Sequence, residues 1–166
     1  MYTSAISTDD IMTKDLSTIY WGDTLEYAVD KMNRLNIRHL PVVDDDGNLI
    51  GIISERDLQR GRSEFTDFAR PEFTPIVRDY MSTPVEQISS EMNLQEAAHR
   101  MLAFKISAFV VTEQNRMVGI LTSDDLLRLL ISLLDHQQNP DQDDSDRVSY
   151  YSSLGEIATI LSQAGI

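Results

Sequence analysis

Gly51-Ile52-Ile53-Ser54-Glu55-Arg56-Asp57-Leu58 and Gly119-Ile120-Leu121-Thr122-Ser123-Asp124-Asp125-Leu126 are one pattern written twice. Each holds a glycine and two aliphatics, then a hydroxyl, two variable residues, an aspartate and a leucine. The pattern reads as a strand that runs directly into a helix. The hydroxyl stands at the N-cap, and the carboxylate three residues on reaches back to it at the positive end of the helix dipole. Outward from this string the match continues. Met12, Ile19, Leu25, Ala28, Met32, Ile37 and Val42 recur as Met81, Ile88, Leu94, Ala97, Met101, Ile106 and Val111. Self-similarity of this length marks a duplicated unit, and two related units are expected to pack as a pseudo-twofold pair with a shared cleft.

Each copy reads as strand, helix, strand, strand, helix. Leu25, Ala28, Val29, Met32 and Leu35 share one helical face behind an Asp23/Glu26 capping pattern, and Leu94, Ala97, Ala98 and Met101 do the same behind Asn93/Glu96. A hairpin follows in each copy. The first runs from Leu40-Pro41-Val42-Val43 through Asp44–Asn48 to Leu49–Ile53, the second from Phe109–Thr112 through Glu113–Arg116 to Met117–Leu121. Pro41 has no N–H, so its strand is expected to leave that position unpaired at an edge or bulge. The fold class is therefore α/β (α+β): two β-α-β-β-α repeats, the first over residues 1–67 and the second over 68–137. Gly61 to Ile76 reads as a loop with a short helical piece. Residues 138–166 read as an acidic linker and a short amphipathic helix on Leu154, Ile157, Ala158, Ile160 and Leu161.

Composition narrows the function. The chain has 166 residues, 42% of them hydrophobic, enough to bury a core. A net charge of −13 argues against a nucleic-acid surface, which needs clustered cations to displace counterions from phosphates. Eight of the 14 basic residues nevertheless lie between Lys31 and Arg78, so one region can meet a small anion. The absence of cysteine removes disulfides and thiolate chemistry. The N-terminus has neither basic nor apolar run, and the most apolar stretch, Leu126–Leu134, is too short for a bilayer and contains Arg128, so a cytoplasmic location away from membranes is expected.

Catalytic readings find little support. His39, His99 and His136 have no metal-ligand spacing, and there is no Gly-x-Gly-x-x-Gly, no phosphate loop and no nucleophile elbow. The expectation is no catalytic residue, no metal and no catalytic cofactor. The repeated hydroxyl-x-x-Asp string has two readings. It is a helix cap, or it is a clamp for a ribose, whose adjacent hydroxyls want an acceptor, with the helix N-terminus favouring phosphate.

The strings at 37–44, 51–58 and 119–126, in register within the same elements, resemble the cystathionine β-synthase (CBS) domain family in its paired form. The resemblance covers roughly residues 8–135. It implies a regulatory module with two clefts for adenosine-containing ligands such as AMP, ADP, ATP or S-adenosylmethionine. Asp57 and Asp125 take the ribose role, and Ser54 and Thr122 contact ribose or phosphate. The clefts are reciprocal: Asp125 and Thr122 meet Ile37, Arg38 and His39, while Asp57 and Ser54 meet Ser82, Pro84, Val85, Ile106, Ser107 and Ala108. Arg38 is a phosphate ligand or a solvated or ion-paired arginine. In the second copy Ser107-Ala108-Phe109-Val110 replaces Arg38-His39-Leu40-Pro41, without cation or proline. The expected partners are an adenosine-type small molecule, a second copy of the chain through Leu126, Leu127, Leu130, Ile131 and Leu134, and an effector protein. The competing reading is a structural dimerisation module without a nucleotide.

Overall fold

A computed structural model describes residues 6–67 and 74–138. Its contacts divide the chain into two compact units. One is Leu16–Glu86; the other joins Met1–Asp15 to Gln87–Ile166. The packing boundary thus differs from the repeat boundary, because the lead-in of each sequence repeat folds onto the sheet of the other copy.

The unit Leu16–Glu86 contains β1 (Ile19–Tyr20), α1 (Leu25–Leu35), β2 (His39–Val43), β3 (Leu49–Ser54), α2 (Glu55–Asp67) and α3 (Val77–Tyr80). Its sheet has the order β1-β2-β3, parallel then antiparallel. The core holds Ile19, Leu25, Ala28, Met32, Leu40, Val42, Ile53, Leu58, Val77 and Tyr80. The cap of α1 is Thr24, whose hydroxyl accepts from Tyr27 N–H at 3.2 Å. Asp23 instead accepts from Tyr20 N–H at 3.1 Å, so the helix starts one residue later than the capping pattern indicated. It ends at Asn36, in the left-handed conformation that a short polar side chain tolerates.

Pro41 lies on the central strand, not on an edge. Its partner in β3 is Ile52, and both backbone groups of Ile52 bond to Ser82 on the far side. No ladder bond from β3 is asked of the proline, and β1 reaches only as far as Val42 and Val43. The expected bulge is present one step later, between Val42 and Val43. In the turn, the Asp44 carboxylate accepts from Asp46 N–H, Asn48 N–H and Asn48 Nδ2 at 2.8–3.1 Å. These bonds, the Asn48 side chain first, hold its pKa below the ordinary carboxylate value. The link from Gly61 is helix as far as Asp67, because α2 continues through it.

The other unit carries β4 (Gln87–Ser89), α4 (Leu94–Phe104), β5 (Ala108–Glu113), β6 (Arg116–Thr122) and α5 (Ser123–Gln138) in the same order and sheet topology. A 3-10 turn, Thr8–Asp10, precedes them in the chain and packs with them: Thr8 N–H donates to Met92 O and Asp9 N–H to Ser90 O. Its core is Met12, Ile88, Leu94, Ala97, Met101, Phe109, Val111, Leu121 and Leu129. Asn93 caps α4 as expected, accepting from Gln95 N–H at 2.8 Å, while Glu96 pairs with Arg100 and takes no part in the cap. The second hairpin turns on Gln114 and Asn115, both with positive φ. The acidic linker and the C-terminal amphipathic helix fall outside the described residues.

Two equivalent close approaches fix the lead-ins. A Cβ on Gly51 would run into the Met81 side chain, and one on Gly119 into the Met12 side chain and, at 3.0 Å, Thr13 O. Beside them, Ser82 and Ile52 exchange two backbone hydrogen bonds, as do Thr13 and Ile120.

Candidate functional site

The hydroxyl-x-x-Asp string folds into the same geometry in both units. Ser54 Oγ and Ser54 N–H donate to Asp57 Oδ2 at 2.6 and 3.0 Å, and Asp57 N–H returns to Ser54 Oγ at 3.4 Å. Thr122 Oγ1 and N–H donate to Asp125 Oδ2 at 2.6 and 2.7 Å, with Asp125 N–H returning at 3.4 Å. This is a reciprocal cap, and it engages one carboxylate oxygen. The other faces an arginine one turn along the helix: Asp57 Oδ1 is 3.3 Å from Arg60 Nη2, and Asp125 Oδ1 is 3.8 Å from Arg128 Nη1. The carboxylates are 13% and 8% exposed, and their arginines 57% and 39%. An oxygen so placed can accept a hydroxyl proton without breaking the cap. Cap and clamp are therefore compatible uses of one side chain.

The antiparallel pairing of β2 with β3 sets the start of one strand beside the end of the other. His39 stands opposite Ser54, and Arg38 O accepts from Glu55 N–H at 3.0 Å. Likewise Ala108 stands opposite Thr122, and Ser107 O accepts from Ser123 N–H at 2.9 Å. The strand entry that carries Arg38 and His39 thus lies beside the Ser54–Glu55 junction, and the entry that carries Ser107 and Ala108 beside the Thr122–Ser123 junction. Ser82 does lie in the unit of Ser54 and Asp57, bonded to Ile52 two residues before the hydroxyl. Pro84, exposed, and Val85, half-buried, follow it.

A hollow of about 320 Å³ opens in the Leu16–Glu86 unit between the end of α1 and the start of α2. Val29, Met32, Ile37 and Leu58 supply apolar surface, and Arg38, Arg62, Glu55 and Gln59 supply polar groups. Of these, Ile37 and Arg38 had been named as ligand-site residues from the sequence. Arg60 and Arg128 were also missed, although the signal was legible: extending the repeated string by three residues gives Ser54-x-x-Asp57-x-x-Arg60 and Thr122-x-x-Asp125-x-x-Arg128. Among the described residues, no cluster of three or more His, Asp or Glu could hold a metal ion, and no helix is long and apolar enough to cross a membrane.

A duplicated β-α-β-β-α module with a capped aspartate at each strand-to-helix junction defines a class, and the comparisons place the chain in it. The chain belongs to the CBS domain family, whose model matches residues 9–64 and 77–132. It is 32% identical over 135 residues to a CBS domain-containing protein of Dictyostelium discoideum, covering 75% of this chain and 91% of that one. It is 31% identical over 121 residues to the inosine-5'-monophosphate dehydrogenase of Methanocaldococcus jannaschii, covering 72% of this chain but 23% of the dehydrogenase. Among solved structures it resembles the CBS domain pair of protein MJ0100 in complex with 5'-methylthioadenosine and S-adenosyl-L-methionine. The TM-score is 0.68 at 27% identity, over 76% of this chain and 96% of that one.

Proposed function

We propose that the chain is a cytoplasmic regulatory module without catalysis of its own, which binds an adenosine-containing small molecule and works as a homodimer that signals to an effector protein. The observation that carries this reading is the twofold occurrence of a nearly buried aspartate with one oxygen in a cap and the other beside an arginine. A cap alone needs only the first oxygen. The second, Asp57 Oδ1 or Asp125 Oδ1, is the acceptor for a ribose hydroxyl, and Ser54 or Thr122 holds the carboxylate in place for it. The MJ0100 pair, with two adenosine derivatives bound, supports the ligand class.

Ile37, Arg38, His39, Ser82, Pro84, Val85, Ile106, Ser107 and Ala108 complete the proposed ligand sites around the two aspartates. Arg38 has Ser107 as its counterpart in the second repeat, so a phosphate-bearing ligand such as AMP, ADP or ATP discriminates between the two sites, whereas S-adenosylmethionine or 5'-methylthioadenosine has less reason to do so.

Titration calorimetry of the purified chain against these five ligands tests the reading. Saturable binding of at least one of them is expected. If all five give only heats of dilution at millimolar concentration, the module is a structural dimerisation unit instead.

A further inference from the structure

A ribose offers two neighbouring hydroxyls, and Asp57 has one oxygen outside the cap to receive them. The second hydroxyl needs a partner of its own. Arg60 stands beside that oxygen: its Nη2 is 3.3 Å from Asp57 Oδ1 and donates to Tyr80 O at 3.2 Å. The bond to Tyr80 uses one N–H, and the guanidinium carries others in the same rigid plane. With the side chain 57% exposed, those are within reach of a ligand. The placement is built into the fold. Gly61 is buried, and a Cβ on it would meet the Leu25 side chain and, at 3.2 Å, the Tyr80 ring. Without a side chain there, α2 lies close against Tyr80 and Arg60 reaches its carbonyl. That carbonyl is itself fixed, because the Tyr80 ring belongs to the core, Met81 N–H donates to Val77 O at 2.9 Å, and Ser82 exchanges two backbone bonds with Ile52. An exposed ion pair contributes little stability, so the use of this brace is to place the guanidinium. In the second repeat Leu129 and Ile11 replace Gly61 and Tyr80, and Arg128 stands 3.8 Å from its aspartate. Arg60 is the better placed of the two arginines.

We infer that Arg60 is the second half of a diol clamp: one ribose hydroxyl donates to Asp57 Oδ1, and its neighbour accepts from the Arg60 guanidinium. This rests on the ribose reading of Asp57 above and adds the residue that reads the other hydroxyl. An acceptor and a donor side by side match a vicinal diol, in which each oxygen can both give and take a hydrogen bond. They do not match a sugar that lacks either hydroxyl, which leaves one of the two without its partner. The Asp57 site thereby discriminates ribonucleosides from deoxyribonucleosides.

The test is titration calorimetry of the full chain carrying Asp125→Asn, which confines binding to the Asp57 site, with and without Arg60→Met. AMP and 5'-methylthioadenosine are each used as the ribose compound and as its 2'-deoxy and 3'-deoxy forms. Arg60→Met is expected to weaken the ribose compound about tenfold. It should weaken one monodeoxy compound as much and leave the other unchanged, because that one lacks the hydroxyl that accepts from the guanidinium. Arg60→Lys should recover part of the loss, since an ammonium donates from the same place without the planar fork. An equal loss for all three compounds would make Arg60 a structural residue and overturn the inference, and so would no loss at all. If the Asp125→Asn chain binds neither series, the inference falls alone provided that the wild-type chain binds any of AMP, ADP, ATP, S-adenosylmethionine or 5'-methylthioadenosine. A wild-type chain that binds none of the five overturns the ribose reading with it.

Discussion

Asp57 and Asp125 each place one oxygen in a cap and the other beside an arginine, and the cap separates from the proposed ribose contact by substitution. Glutamate is the preferred third residue of a capping box, so Asp57→Glu with Asp125→Glu should keep the bonds to Ser54 and Thr122 while moving the carboxylate by about one bond length. Ligand-free stability is expected to stay within roughly 0.5 kcal/mol of wild type in urea titrations; a larger loss would mean that the cap requires the shorter side chain. Gly119 is constrained differently. An alanine there meets both the Met12 side chain and the backbone oxygen of Thr13, and only the first can move. Gly119→Ala should therefore cost about 1–3 kcal/mol. Adding Met12→Ala should recover less than the full loss; complete recovery would show that Thr13 O imposes no constraint.

At the scale of the elements, sequence reasoning located the helices and hairpins because their signals are local. Apolar residues at helical spacing follow a capping residue, whereas the left-handed ends of α1 at Asn36 and α4 at Lys105 were not marked in advance. What local signals could not carry was the exchange of lead-ins. Met12 and Met81 match each other in the repeat, but nothing in their spacing says that Met12 packs over Gly119 and Met81 over Gly51. The aspartates and hydroxyls of the site were legible from the string, and the bond from Glu55 N–H to Arg38 O follows from the antiparallel hairpin that was legible as well. Two turns give checks at this scale. Gln114 has φ of 44° in a turn that favours asparagine or glycine, so Gln114→Asn should raise stability by roughly 0.5–1 kcal/mol in thermal melts. No gain would mean that the turn is relaxed in solution. Asp44, with its pKa held low by Asn48, contributes stability that is present above its unfolded-state pKa and is lost as pH falls through the lowered folded value. Asp44→Ala should thus lose stability at neutral pH and show a flatter acid limb than wild type; parallel acid limbs would contradict this.

For the whole molecule, duplication supplies two similar strand-to-helix junctions, and divergence has made the copies unequal. The first repeat keeps Arg38 and Arg62 and a polar helix face, and the second has an uncharged strand entry and an apolar helix face. The ligand claim is the centre of this picture. It is tested most directly by the melting temperature of the wild-type chain and of the Asp57→Glu/Asp125→Glu chain, each with and without saturating S-adenosylmethionine, 5'-methylthioadenosine or AMP. A ligand that binds only the folded state at about 100 times its dissociation constant adds roughly 2.7 kcal/mol. The expected result is a clear rise for wild type with at least one of these ligands and no rise for the double variant. A wild-type curve unmoved by all three, or an equal rise in both chains, would contradict it.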